Sequence, residues 1–251
     1  MSVLGNINTA IGMTRSLVIY YGQPWRRQQL KRFYAGLIGE GDLVFDIGAH
    51  VGSRSRTLLS LGARVVAVEP QPAFADFIAR HLAAELTGLE RVAVGAGVGE
   101  VTLHVSSRHP TVTTVSTRFI EGVSDAEGFR TVVWDREVRI PMTTLDRLIA
   151  KYGLPAFCKI DVEGAESDIL QGLSQPIGLI AFEYIPAMPG VARDAIERLM
   201  HLGNYRFNRV IGERHRFVDA QWQEAGPLLN ELARLTPDSP SGDVYARLMP
   251  Q

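Results

Sequence analysis

The chain has 251 residues, enough for one sizeable core, and its 46% hydrophobic and 21% charged residues describe a globular protein rather than a disordered one. A formal net charge of −1 creates no overall field toward nucleic acid or anionic lipid, so neither is expected as a partner. Cys158 is the single cysteine, which excludes an intrachain disulfide and a cysteine metal cluster and fits a reducing cytoplasm.

No stretch approaches the roughly 18 uninterrupted apolar residues of a membrane span. At the N-terminus, Asn6, Asn8 and Thr9 interrupt any apolar leader, so the expected location is cytoplasmic. Residues 1–41 read as an N-terminal helical segment, a lid or an interface. Leu30, Phe33, Tyr34, Leu37 and Ile38 form one face of an amphipathic helix that starts near Pro24 and stops at Gly39 and Gly41. Arg26, Arg27, Lys31 and Arg32 are its wet face.

From Leu43 the rhythm becomes strand, helix, strand, helix. Leu43 to Ile47 is an apolar run suited to a buried parallel strand, and Ser53 to Leu61 a helix with Gly62 beyond it. Val65 to Val68 predicts a second strand. Pro72 opens a helix whose stripe is Phe74, Phe77, Ile78, His81 and Leu82, and Arg91 to Val94 predicts strand three. This βαβαβ opening defines a doubly wound, Rossmann-like α/β fold with helices on both faces and a ligand site at the strand carboxyl ends.

Val101 to Val105 and Val132 to Ile140 predict two extra strands, and the polar stretch Ser106 to Thr117 between them a covering loop. Thr143 with Asp146 suggests a capping box. Phe157 to Ile160 and Ile177 to Phe182 are strands four and five, and Arg193 to Leu202 is a helix ended by Gly203. Tyr205 to Ile211 and His215 to Val218 suggest a hairpin around Gly212 and Glu213, and Gln221 to Leu235 a helix broken at Pro227.

Three stretches carry chemistry. In Val44-Phe45-Asp46-Ile47-Gly48-Ala49-His50-Val51-Gly52 a strand runs into a glycine turn that lets backbone approach a ligand. Its G-x-x-x-G spacing differs from the G-x-G-x-x-G of pyrophosphate sites, and Asp46 would repel phosphate. A cofactor with a cationic amino acid end suits it better. Glu69, 21 positions after Gly48 at the end of strand two, is placed to accept ribose hydroxyls. Lys159-Ile160-Asp161-Val162-Glu163-Gly164-Ala165-Glu166 crowds three acids and a lysine at the same edge. Such a cluster suits proton transfer, hydroxyl orientation or a hard cation, with Asp161 and Glu163 as candidate ligands, whereas Glu166 fits a helix N-terminus.

Together these stretches resemble the FkbM family of methyltransferases from about Asp42 to Glu183, through Phe45 to Gly52, Glu69-Pro70, Thr144-Leu145-Asp146 and Lys159 to Glu166; Ser241 to Ala246 is similar to the ending of some members. The resemblance implies a seven-stranded, mostly parallel sheet over residues 42–251, an S-adenosylmethionine site, and O-methylation of sugar or natural-product hydroxyls. By position it implies Asp46, Gly48, Ala49 and Gly52 around the methionine end, Glu69 and Pro70 at the ribose, and Asp161 and Glu163 near the transferred methyl. Many members carry asparagine where this chain has His50.

Methyl transfer to oxygen needs alignment and a base for the hydroxyl proton. His50, His104, Asp161, Glu163 and Glu183 are the candidates, although His104 reads better as a surface residue. A magnesium ion on Asp161 and Glu163 would lower the hydroxyl pKa. Tyr184, Pro186 and Met188 either line a pocket or pack on the core. The alternatives are a non-catalytic S-adenosylmethionine-binding subunit, a NAD-dependent oxidoreductase disfavoured by the glycine spacing, and a nucleic-acid methyltransferase disfavoured by the balanced charge.

Overall fold

A computed structural model describes residues 11–18, 24–124, 126 and 129–250; Asn6, Asn8 and Thr9 lie outside the described residues. Helix α1 spans residues 11–18 and α2 spans Pro24–Ala35. The elements then alternate: β1 Leu43–Ile47, α3 Ser53–Leu59, β2 Arg64–Val68, α4 Pro72–His81 and β3 Gly88–Glu90. Strands β4 Ala93–Val94, β5 Gly99–Val105 and β6 Arg136–Thr143 stand apart, with helix α5 Thr117–Val123 between the last two. The chain continues through α6 Leu145–Tyr152, β7 Phe157–Ile160, α7 Glu166–Gln171, β8 Leu179–Tyr184, α8 Pro189–Leu202, β9 Tyr205–Ile211, α9 Ala225–Leu232 and β10 Gly242–Leu248.

The main sheet has seven strands in the order β3-β2-β1-β7-β8-β10-β9. It is parallel from β3 to β8, and β10 runs antiparallel to both neighbours. Side-chain alternation along the buried strands builds two cores. Phe45, Ile47, Val66, Val68, Ile160 and Phe182 face α6, α8 and α9. Val44, Val65, Phe157, Ala181 and Tyr245 face the other way, toward Tyr34 and the partly buried Leu30, Phe33, Leu37 and Ile38 of the N-terminal stripe. Among the described residues, no helix is long and apolar enough to cross a membrane.

Four expectations are corrected. Strand three of the main sheet is β3, because Gly88, Leu89 and Glu90 pair in register with Val66, Ala67 and Val68; the chain then leaves the sheet, and Ala93 and Val94 join β6 instead. The capping residue of α6 is Thr144, whose Oγ1 accepts the Arg147 N–H at 3.3 Å, while Asp146 accepts from Ser174 N–H. Residues 215–218 form no hairpin strand: Phe217 makes one bridge to Val210 and then packs among Phe33, Trp222 and Tyr245, with ring centroids 5.0 to 5.2 Å away. Strand β10, an element the strand pattern did not announce, lies between β8 and β9, on the edge of β9 opposite the Phe217 bridge. Pro227 lies in the first turn of α9, where its missing N–H has no partner to lose, so the helix is not broken there.

One charge sits inside the sheet. The Lys159 side chain is fully buried on β7, with Nζ 2.9 Å from Asp243 Oδ1 on β10, 3.6 Å from Asp161 Oδ2 and 3.1 Å from the Ile160 carbonyl. Burial works against the ammonium, and Asp161 and Asp243 outweigh it, so the lysine stays charged. Removing one member of such a cluster leaves unpaired buried charge. Lys159→Met is therefore expected to lower unfolding free energy by about 3–5 kcal/mol in urea titration; a loss below about 0.5 kcal/mol would show that the ammonium is structurally dispensable.

Candidate functional site

The carboxyl ends of β1, β2 and β7 open into a cavity of about 140 Å³. Its floor is the turn after β1. Gly48 has φ +82°, and a Cβ there would collide with the Asp161 carbonyl, so no other residue fits. Ala49, His50, Glu69 and Pro70 line it from one side, Asp161 and Glu163 from the other. Val92, Ala93, Val94 and Leu103, from the linker after β3 and the small sheet, supply an apolar wall. The extra strands thus roof the site.

Backbone strain concentrates here. Among the described residues, three non-glycine residues have left-handed backbone: His50 (φ 52°), Glu163 (φ 60°) and His215 (φ 46°). All three line the cavity. Each such residue costs of order 1 kcal/mol and is retained where the surroundings over-determine it, which marks functional turns.

Glu69 is held by two backbone donors: His50 N–H gives to Oε2 at 2.7 Å and Gln71 N–H to Oε1 at 2.8 Å. Both oxygens keep further acceptor capacity, as a pair of vicinal hydroxyls would require. Burial pushes this carboxyl up to about 8, against the pull of the two donors. The His50 ring lies 4.1 Å from the Phe74 ring, tilted by 44°, and its Nε2 is 3.3 Å from Ser16 Oγ on α1. Burial pushes the imidazole down to about 4, leaving it neutral at pH 7.

Two expected residues stand behind the cavity rather than in it. Asp46 is fully buried, with Ser55 Oγ donating to Oδ2 at 2.5 Å and Oδ1 left without a hydrogen-bond partner among the described residues. Gly52 (φ +71°) answers a packing demand, since a Cβ would meet Leu82 of α4.

The acids of the β7 edge divide by environment. Burial pushes Asp161 up, but Lys159 and Arg54 outweigh it and hold the carboxyl down at about 2; Arg54 Nη1 donates to Oδ2 at 2.8 Å. Glu163 and Glu183 go the other way: burial and then the neighbouring carboxylates raise both well above the usual range. Glu183 Oε2 is buried without a hydrogen-bond partner. Oxygens of Asp161, Glu163 and Glu183 lie within 4.8 Å of one another. That donor set suits a hard cation, although Arg54 and Lys159 already place positive charge on Asp161. Alternatively a proton shared within the group relieves the same repulsion. Glu166 turns back as a cap, accepting from Val162 and Gly164 N–H. His104, paired with Glu137 at 3.4 Å on the small sheet, does not line the cavity. Tyr184 is buried in the main core and Met188 packs with Phe119, Val123 and Val191, so both serve packing.

Sequence reasoning missed Arg54, and a signal existed. An arginine in the first turn of α3, where no acid is present, opposes the helix dipole, and such a violation points to a distant partner. Glu213 and His215, 3.4 Å apart at the cavity rim, gave no such signal, because only folding brings their loop to the strand ends.

A doubly wound sheet with this cavity at its switch edge is an architecture in which nucleotide-type cofactors bind. Residues 46–235 match the methyltransferase FkbM domain, and the chain belongs to that family, whose methyl donor is S-adenosylmethionine. No curated protein matches it. Similar solved structures include an O-methyltransferase from Bacillus cereus in complex with SAH, at 12% identity over 95% of this chain and 90% of that one with TM-score 0.47. Others are a precorrin-6y C5,15-methyltransferase from Geobacter metallireducens (14% identity, 90% and 88% coverage, TM-score 0.44) and an rRNA methylase from Streptococcus thermophilus (11%, 88% and 94%, 0.43). These likenesses are remote in sequence and shape, and the named activities differ.

The Glu69 carboxyl is protonated below its pKa of about 8 and ionised above it. Affinity for S-adenosylhomocysteine in calorimetric titration is therefore expected to rise from pH 6 to 9. Glu69→Gln should flatten that profile, and Glu69→Ala should weaken binding about tenfold or more. Unchanged affinity in Glu69→Ala would remove this residue from cofactor recognition.

Proposed function

We propose that this protein transfers the methyl group of S-adenosylmethionine to a hydroxyl of a sugar or natural-product small molecule. The carrying observation is the division of the three carboxylates beside the cofactor cavity, one held ionised and two raised toward neutrality.

In this reading Glu69 receives the ribose hydroxyls, the wall of Val92 to Val94 and Leu103 takes the flat base, and Gly48 and Ala49 let the backbone close on the cofactor. Pro70 flanks the ribose. Asp46 acts from beneath the turn as a fixed negative charge toward the cationic methionine end. Arg54 and Lys159 hold Asp161 in place. The substrate oxygen attacks the methyl carbon as the carbon–sulfur bond breaks. Its proton passes to Glu163 or Glu183, whose raised pKa makes ionised carboxylate there a better base than an ordinary surface acid. His50, neutral and of low basicity, positions rather than accepts the proton. Helix α1, with Ser16 against His50, serves as a lid rather than an interface, while α2 packs its stripe on the sheet.

The non-catalytic alternative needs the cofactor contacts but none of the carboxylate division. Radiolabelled methyl transfer to a panel of hydroxylated acceptors separates the two. Glu163→Gln and Glu183→Gln are each expected to lower turnover by about 10²-fold or more while leaving S-adenosylhomocysteine affinity within about threefold. Turnover equal to the parent in both variants would refute the carboxylate base. Excess chelator is expected to leave turnover unchanged; a loss restored by added magnesium would instead assign Asp161, Glu163 and Glu183 to a metal.

A further inference from the structure

A second cavity, of about 200 Å³, shares Pro110 and Thr111 with the first. Its remaining lining comes from α1, the covering loop and the segment before β6: Arg15 and Ser16, His109 and Val112, then Thr131 and Val132. The chemistry is cationic and hydroxylic, in a protein whose overall charge is −1. Burial and then the charges of Arg15 and Arg108 push the His109 imidazole down. No carboxylate is among the groups acting on it; the nearby Asp135 is engaged by the Ser107 N–H at 2.9 Å.

The same loop carries polar atoms without a use in the fold. His109 Nδ1, Ser107 Oγ and Thr113 Oγ1 are buried with no hydrogen-bond partner among the described residues. Leaving a buried polar atom unsatisfied costs about 1–3 kcal/mol, a cost that a ligand supplying the partner removes. His109 lines the second cavity and Thr113 the first, on either side of the shared Pro110 and Thr111.

We propose that the second cavity anchors the acceptor through a phosphate group, so that the methylated hydroxyl belongs to a phosphorylated small molecule. This rests on the reading of the first cavity as the S-adenosylmethionine site. Arg15 and His109 bind the phosphate oxygens, and Thr131 adds a hydroxyl donor. The remainder of the acceptor passes Pro110 and Thr111, so that its hydroxyl reaches the methyl carbon. There the new oxygen–carbon bond replaces the carbon–sulfur bond, S-adenosylhomocysteine departs, and the hydroxyl proton goes to the carboxylate pair.

A phosphate monoester and a nucleotide diphosphate would offer the same group, and binding distinguishes them. Protein saturated with S-adenosylhomocysteine is titrated with glucose 6-phosphate, uridine diphosphate glucose and free glucose. At least one phosphorylated probe is expected to bind while glucose does not, and the stronger one identifies the source. Arg15→Glu and His109→Ala should each weaken that probe about tenfold or more, with S-adenosylhomocysteine affinity unchanged. Arg193→Glu, a change of the same charge on the exposed face of α8, should leave the probe's affinity unchanged. Phosphorylated probes that bind no better than glucose, or equally well to the parent, Arg15→Glu and His109→Ala, overturn the phosphate subsite and leave the first cavity's reading intact. Folded protein that fails to bind S-adenosylhomocysteine overturns that reading and this proposal together.

Discussion

Lys159 imposes an electrostatic condition that the surrounding architecture meets. An ammonium without solvent exposure must find carboxylates, and the two it finds come from different places: Asp243 on the antiparallel β10 and Asp161 just beyond β7. The first contact ties the C-terminal strand to the parallel half of the sheet across β8. The second sets the charge state of the acid that faces the cavity. Structure and chemistry therefore share one buried cation.

From that cation the polarity of the site spreads outward. Asp161 is ionised by Lys159 and Arg54, while burial and then the neighbouring carboxylates raise Glu163 and Glu183. Three acids of similar intrinsic strength thereby acquire two behaviours within one small volume, which is how a protein obtains a fixed charge and a proton acceptor from the same residue type. The strained turns at His50, Glu163 and His215 belong to the same economy of position, since each aims a group at the cavity that relaxed backbone would direct elsewhere.

The small sheet gives the site its enclosure. Strands β4 and β5 supply part of the apolar wall of the first cavity, and the loop between β5 and α5 lies between the first cavity and the second. Helix α1 closes over that loop, with Gly12 packed so tightly on the Ser107 carbonyl and Pro110 that a side chain there would collide. Both cavities thus take part of their walls from this insertion.

Much of this was legible in the residues. The runs Leu43 to Ile47 and Phe157 to Ile160 coincide with β1 and β7, because a strand buried on both faces is mostly apolar, with Asp46 and Lys159 as the buried exceptions. The glycine turn, Glu69 and the acids from Asp161 to Glu166 could be placed at one edge, since strand direction alone carries the ends of parallel strands to the same side. Family membership was readable because those motifs are local strings. What local strings could not decide was partnership. That β9 pairs along its length with β10, while residues 215–218 keep one bridge to it and Phe217 joins an aromatic cluster, follows from neighbours distant in the chain. Whether Asp46 enters the cavity or lies beneath it depends on Ser55 and on the turn above. Arg54 meets Asp161 across 107 positions, and the ionisation of each carboxylate follows from such distant neighbours. Sequence determined the elements and the chemical inventory, because propensity and periodicity act over a few residues. Tertiary structure alone decided which acids are charged, which are raised and what encloses them, because burial and Coulomb forces act between residues that the chain does not place together.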